Sequence, residues 1–300
     1  MIETLTPGYF TDYELIDSGN FEKLEKFGQY IVARPEPQAL WDKSLSEAEW
    51  QRLANAYFKR DKKDKVEGID SNEKGEWVLK KGMPGQWFVN YNYKQMNLKM
   101  RLGLTSFKHV GIFPEQAENW NFIFDTIKLN ESDDNSILNL FAYTGGASLA
   151  AKVAGAAVTH VDSVKQVVSW SRENMEATGL SDIRWIVEDA MKFVQREVRR
   201  GNMYSGIVLD PPAYGRGTDG EKWILEKSLN DLLKYCKQIL KSSNSFVLLN
   251  LYSMGFSALV AESLIKTVFE NKGKISSGEL FVTDKGGRKL ALGIFVRLEL

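Results

Sequence analysis

Two short segments hold residues whose types and spacing can do chemistry. Asn139-Leu-Phe-Ala-Tyr-Thr-Gly-Gly-Ala-Ser148 reads as a strand that ends in a glycine turn and opens a helix. Asp210-Pro-Pro-Ala-Tyr214 ends another strand further along the chain. Loops so placed face each other across the carboxyl edge of one parallel sheet, where doubly wound folds bind ligands. Gly145 and Gly146 free the backbone of the turn and let a ligand come close. The helix N-terminus behind them offers N–H groups to an anion. Taken alone, this pair is equally a plain tight turn.

Two more carboxylates sharpen the pattern. Asp162 directly follows the second strand and can accept hydrogen bonds from both hydroxyls of a ribose. Its other reading is a cap on the next helix, and the two roles are compatible. Asp189, in Val187-Glu-Asp-Ala190 after the third strand, can accept from an adenine amino group or cap a helix, with Glu188 as the alternative. Asp210 is followed by two prolines, which fix the backbone and remove donors. A carbonyl held rigidly beside a carboxylate can orient a planar nitrogen heterocycle, and Tyr214 can stack on that ring. Gly215 and Gly217 suggest a mobile loop that runs to Trp223. A dinucleotide site would want G-x-G-x-x-G in the first turn. Thr144-Gly-Gly-Ala-Ser148 lacks the third glycine, which argues against a dehydrogenase. His109 and His160 have no partner at triad or metal-ligand spacing and read as structural.

The elements that must position these residues follow from periodicity. Strands are predicted at 136–141, 157–161, 183–187, 204–209 and 245–252, with helices between them. The helix after Asp162, for instance, shows Val164, Val167, Val168, Ser171 and Met175 on one face. Closing strands near 276–282 and 290–297 flank a hairpin turn at Asp284-Lys-Gly-Gly287. Repeated βα units imply a parallel sheet with right-handed crossovers and helices on both faces. Before residue 130 the chain is richer in tryptophan, tyrosine and charge, and short strands at 13–17, 22–34, 76–80, 86–91 and 97–102 suggest a small β-rich domain. Residues 109–128 read as a strand end and a helix starting near Pro114. The charged stretch from Lys59 to Lys65 reads as a solvated loop or helix face.

Composition bounds the rest. With 300 residues, 43% apolar and 26% charged, the chain is an ordinary globular protein with room for one large or two modest domains. Its formal net charge is zero, which argues against a strong non-specific polyanion binder but not against a local basic patch. One cysteine excludes an intramolecular disulfide, and no cluster suits zinc or iron–sulfur, so no metal is expected. No segment reads as a secretory leader or a membrane span, so the cytoplasm is the expected location.

NLFAYTGGAS, VTHVD, EDAMKF and DPPAYGRG are similar to the motifs of the bacterial class I ribosomal RNA methyltransferase family, which methylates cytosine carbon-5 or guanine nitrogen-7 in large-subunit RNA. The resemblance covers about residues 105–300 and includes Gly111-Ile-Phe-Pro-Glu-Gln116. Asp17-Ser-Gly-Asn-Phe-Glu-Lys-Leu24 and Arg34-Pro-Glu-Pro-Gln-Ala-Leu-Trp41 resemble a subgroup with a small N-terminal β domain. The resemblance implies an α/β fold, a doubly wound seven-stranded Rossmann-like sheet with that small domain attached. The expected division is 1–93 for the β-rich domain, 94–130 for a connecting strand and helix, and 131–300 for the catalytic domain. S-adenosylmethionine is the implied cofactor, leaving as S-adenosylhomocysteine. Its implied contacts are Glu115, Gln116, Phe141, Tyr143, Gly145, Asp162, Ser163, Asp189 and Ala190, with Asp210, Pro211, Pro212 and Tyr214 at the transfer site.

One departure bears on mechanism. Carbon-5 of cytosine is not nucleophilic until a thiolate adds to carbon-6, and the cytosine enzymes place that cysteine at the end of the fifth strand. Here Leu249-Asn-Leu-Tyr-Ser253 has no thiol, and Cys236 lies on an apolar helix face. Direct transfer to a nitrogen needs only alignment and desolvation. Ribosomal RNA is the expected partner, with Lys94, Lys99, Arg101 and Lys108 interleaved with Tyr91, Tyr93 and Phe107 as candidate contacts, and Arg196, Arg199, Arg200 and Arg216 as others. Each group also reads as a solvated face. A small molecule or protein acceptor, or cofactor binding without catalysis, are the alternatives, and the chain is a monomer or homodimer. Cys236→Ser is expected to leave methyl transfer intact; a 5-methylcytosine product abolished by that change would overturn the expectation.

Overall fold

The computed structural model describes residues 2–60, 74–130, 134–218, 220–252 and 255–300. Of the charged stretch 59–65, the residues from 61 onward lie outside that set. In chain order, β1 (Ile2–Leu5) leads into β2 (Tyr13–Gly19), β3 (Glu22–Phe27), β4 (Tyr30–Pro35), α1 (Glu47–Leu53), β5 (Ala56–Arg60) and β6 (Gly75–Leu79). A hairpin of β7 (Gln86–Tyr93) and β8 (Met96–Gly103) and the helix α2 (Ala117–Leu129) connect to the second half. There β9 (Ser136–Leu140), α3 (Gly146–Val153), β10 (Ala157–Asp162), α4 (Lys165–Ala177), β11 (Ile183–Val187), α5 (Ala190–Arg200) and β12 (Gly206–Leu209) alternate. A short ribbon of β13 (Tyr214–Arg216) and β14 (Lys222–Ile224) precedes α6 (Leu225–Ile239), β15 (Phe246–Tyr252), α7 (Ala258–Val268), β16 (Lys274–Thr283) and β17 (Lys289–Glu299).

The main sheet runs β1-β16-β17-β15-β12-β9-β10-β11. Strands β9 to β12 and β15 are mutually parallel, and β17 is antiparallel to β15. Continuous apolar runs such as Gly206–Leu209 are buried throughout because helices cover both faces. Alternate residues serve different cores. Ile137 and Leu248 join α2, α3 and the β7–β8 hairpin, whereas Leu138 and Leu249 face α5, α6 and α7. The doubly wound α/β sheet is thus the one the sequence implies, with one strand more than the expected seven. The eighth is β1, which pairs with β16 through Ile2↔Ser277 and Leu5↔Leu280. Four mostly exposed residues carry no alternation to reveal it. The signal lies in its partner: a Cβ at Gly278 would collide with the backbone of Glu3, so only glycine lets β1 dock.

The small N-terminal sheet is ordered β2-β3-β4-β5-β6. The first residues therefore belong to the large sheet and not to the β-rich unit. The expected boundary at 93/94 falls at the tip of the β7–β8 hairpin, where Lys94 takes φ 49°. Both strands pair along their length, and β8 packs against α3 and α4. Two polar networks fasten the small sheet to the large one. Asp17 accepts from the Trp50 indole at 2.7 Å and pairs with Arg288 at 2.5 Å, while Ser18 donates to Asp284 at 2.8 Å. Arg34 pairs with Glu25 at 2.6 Å, Lys23 with Glu36 at 3.2 Å, and the Tyr252 hydroxyl of β15 donates to Glu36 at 2.8 Å. Among the described residues no helix is long and apolar enough to cross a membrane.

Breaking a buried pair strands its partner's charge. Arg34→Met is expected to lower the free energy of unfolding by about 3 kcal/mol, because among the described residues Glu25 keeps only Lys23 at 3.5 Å as a cation. Pairing it with Glu25→Leu should recover most of the loss. Urea titrations of the three proteins check both statements.

Candidate active site

The turn between β9 and α3 is held in an uncommon shape. Phe141, Tyr143 and Gly145 all sit in the left-handed region, with φ of 54°, 49° and 92°. For side chains other than glycine this conformation costs on the order of 1–2 kcal/mol per residue, so other contacts must compel it. The Tyr143 N–H donates to Asp162 at 3.0 Å, and the Tyr143 carbonyl accepts from Ser171 at 2.6 Å. Thr144 donates its hydroxyl to Gly111 and accepts on its carbonyl from Asn174. The Phe141 ring lies 4.8 Å from Trp223, and the Tyr143 ring 5.4 Å from Phe113. Gly146 is required by close packing, since a Cβ there would sit 2.5 Å from the Trp120 indole. Beneath the turn, Asn139 donates to Ser148, which contacts His160 Nδ1 at 3.0 Å. Burial pushes the His160 imidazole down to about 3, so the ring is a neutral strut at physiological pH.

The turn forms one wall of a narrow cleft. Gln116, Phe141, Tyr143, Gly145 and Asp210 line it, as does Asn250 from β15. Asp210 accepts a 2.7 Å hydrogen bond from the Asn250 carboxamide N–H. Burial raises its carboxyl to about 6, against the opposing pull of that hydrogen bond. Pro211 is buried and Pro212 exposed, and the Pro212 carbonyl accepts from the Trp223 indole at 2.7 Å. The segment expected to be a mobile loop is a ribbon. Tyr214 pairs with Ile224, and Trp223 is buried against Phe141.

The remaining predicted contacts do not line the cleft. Asp162 accepts from the N–H groups of Tyr143 and Val164, and burial raises its carboxyl despite them. Asp189 caps α5 by accepting from the Lys192 N–H at 2.9 Å, and Ala190 is the buried first residue of that helix. The ribbon passes directly over this edge, with Ser163 donating to the Arg216 carbonyl at 3.3 Å and a Cβ at Gly217 coming 3.0 Å from Asp189. Glu115 is set apart from its neighbour Gln116. It is buried and raised to about 7 by that burial, with Lys23, Arg34 and Glu25 as its charged surroundings. Asn250 and Asn139 escaped the sequence reading. The available signal was an asparagine inside the otherwise apolar run Phe246–Tyr252.

The candidate nucleic-acid contacts divide. Tyr91 is fully buried and donates to Asn121, and Lys108 is buried. Lys94 pairs with Asp125, Arg101 with Glu173, Arg196 with Glu188 and Arg200 with Glu197. Lys99 stands 5.0 Å over the exposed Phe88 ring, and Lys74 6.0 Å over the exposed Phe107 ring. Arg199 and Arg216 are exposed.

Helix N-terminal donors at the first turn, carboxylates after two adjacent strands and a cleft leading to a third suit a nucleoside with an amino-acid tail. Comparison with known proteins agrees. The model of a family described as "Conserved hypothetical protein 95" matches residues 102–250. The chain is 38% identical to the SAM-dependent methyltransferase from Agrobacterium tumefaciens, whose crystal structure aligns over 99% of this chain and 93% of that one with a TM-score of 0.88. It is 26% identical over 161 residues to the ribosomal RNA large subunit methyltransferase K/L of Shewanella frigidimarina, covering 52% of this chain and 22% of the relative. Over 84 residues it is 33% identical to the ribosomal RNA large subunit methyltransferase I of Klebsiella pneumoniae, covering 27% and 21%. The matches span only about a fifth of the length of these two curated relatives.

A carboxyl held at about 6, against 3.8 when unperturbed, costs the folded state whenever it is charged. That cost is full above pH 6 or so and fades as pH falls toward 3.8. Asp210→Asn is therefore expected to raise unfolding free energy near neutral pH by about 2 kcal/mol, allowing for partial solvent access. The two stability curves should converge in acid. Urea titrations across that range provide the check, and coincident curves at neutral pH would show a well-solvated carboxylate.

Proposed function

The chain belongs to the S-adenosylmethionine-dependent methyltransferases, and we propose that it methylates a base of ribosomal RNA by direct transfer, without a cysteine adduct. Bound in the cleft, S-adenosylmethionine supplies an electrophilic sulfonium methyl. The N–H groups at the start of α3 would hold its carboxylate, with Phe141, Tyr143 and Gly145 shaping the wall. Asp162 would take the ribose hydroxyls and Asp189 the adenine amino group, with Ser163 and Ala190 beside them. Gln116 would close the methionine end. Glu115, facing the ion network, would act only through the turn that it shares with Gln116.

The observation that carries the direct route is the pair at the ends of β12 and β15. Asp210 and Asn250, 2.7 Å apart, occupy the edge where an adduct would need a thiolate. Cys236 is fully buried in α6, and burial pushes its thiol far above the usual range. Asp210 would orient the acceptor nitrogen and take its proton, the two prolines would keep the carboxylate from swinging away, and Tyr214 would offer a stacking face. The RNA acceptor is supported by the names of the relatives and by the lysine–aromatic pairs at Phe88 and Phe107, which suit unpaired bases.

Labelled methyl transfer to unmodified large-subunit ribosomal RNA, with the product nucleoside identified by mass spectrometry, tests this reading. Activity should fall steeply with salt; salt-insensitive transfer to a small heterocycle would redirect it. Asp210→Ala is expected to abolish transfer while leaving S-adenosylhomocysteine binding nearly unchanged. Asp162→Ala should weaken that binding by about 1.5–3 kcal/mol. In the wild type the rate should fall as pH drops below about 6, where Asp210 gains its proton.

A further inference from the structure

Asn250 is 5% exposed, and its carbonyl oxygen Oδ1 is buried with no hydrogen-bond partner among the described residues. An unpaired buried carbonyl costs about 1–3 kcal/mol. Leucine, which occupies positions 248, 249 and 251 of the same strand, would carry no such cost. The other end of the carboxamide is committed, because its N–H holds one oxygen of Asp210 at 2.7 Å. The amide therefore cannot rotate to satisfy Oδ1 without releasing Asp210. The side chain lines the cleft. Space is kept beside it, since a methyl group at Gly293 would come 3.3 Å from Oδ1. Gly293 is not among the glycines with positive φ, so its lack of a side chain is not explained by backbone shape.

We propose that Asn250 orients the methyl acceptor: Oδ1 accepts an N–H of the nucleophilic nitrogen while the amide N–H fixes Asp210 beside it. This rests on the methyl-transfer reading and narrows its substrate. Two acceptor oxygens on groups joined by that hydrogen bond, Asn250 Oδ1 and the second oxygen of Asp210, suit a nitrogen that carries hydrogens, such as the exocyclic amino group of a base. They repel a ring nitrogen that brings only a lone pair. Holding both hydrogens leaves the lone pair as the free direction of the nitrogen. When that nitrogen takes the methyl group, its lone pair becomes the new N–C bond and the electrons of the broken C–S bond stay on sulfur. The surplus proton passes to the Asp210 carboxylate.

The test compares the wild type with Asn250→Leu and Gly293→Ala. The wild-type product is expected to be methylated on an exocyclic amine. Asn250→Leu should lower kcat roughly 10- to 100-fold, the scale of losing one group that orients or stabilises the reacting centre. It should also move the acid limb of the pH profile upward, because Asp210 loses the hydrogen bond that favours its charged form. Gly293→Ala should slow transfer in the same direction without moving that limb. Calorimetric binding of S-adenosylhomocysteine should change less than about twofold in both, the scale expected for sites away from the cofactor's own contacts. Methylated ring nitrogen or carbon, or an unchanged kcat in Asn250→Leu, would overturn the inference. So would loss of S-adenosylhomocysteine binding in both variants, which would make Asn250 structural. An amine methylated on a small molecule with the same dependence on Asn250 would uphold this inference and discard the RNA acceptor.

Discussion

Much of the site hangs on one hydrogen bond, from the Tyr143 N–H to the Asp162 carboxylate at 3.0 Å. It ties the end of β9 to the end of β10 and helps to hold Phe141 and Tyr143 in conformations that such side chains avoid. With the backbone fixed so, the Phe141 ring reaches Trp223, and the ribbon that carries Trp223 is drawn across the carboxyl edge of the sheet. The wall of the cleft, the cover beside it and the approach to α4, where the Val164 N–H meets the same carboxylate, are thus consequences of one half-buried acceptor. The same carboxylate is the group proposed to meet the ribose. Ligand binding and loop geometry would then compete for, or share, the same two oxygens.

A second set of constraints arises where the two sheets meet. Asp17, Ser18, Asp284 and Arg288 form one junction; Lys23, Glu25, Arg34, Glu36 and Tyr252 form the other. Buried polar junctions of this kind depend on geometry, because each member is costly once its partner moves. Tyr252 stands two residues beyond Asn250 on the same strand, and side chains two apart share a face. The second junction therefore lies close to the Asp210–Asn250 pair, and the small sheet is coupled to the transfer edge through β15.

The sheet was legible because parallel strands covered on both faces must be apolar along their whole length, and runs such as Phe246–Tyr252 announce that. The two loops were legible because glycine pairs and proline pairs leave few backbone choices. Three features were not. The strand β1 has no pattern of its own and is specified by Gly278 of its partner. The ribbon at 214–224 reads as a loop because its glycines speak louder than its three-residue strands, while the contact that pins it, Trp223 on Phe141, joins distant parts of the chain. Basic and aromatic residues in β7 and β8 look alike in sequence, yet the strand alternation buries Tyr91 and exposes Phe88. Asn250 was visible as a lone polar residue in an apolar run, but its meaning depends on Asp210 across the sheet.

The pairing of β1 with β16 has a consequence for how the fold is reached. Ile2 meets Ser277, so this edge of the sheet closes a loop containing nearly all of the described chain. On a ribosome β1 is made long before β16 and has no partner until α7 and its following strand have been made. Closing so long a loop costs entropy that only the completed sheet can repay, and pairing at such sequence distance is slow. The small β sheet and the βα units are therefore expected to gather first, with β1 added last. During that wait an exposed strand edge on β16 is available to another copy of β1, which makes exchange of this strand between nascent chains the characteristic error of assembly.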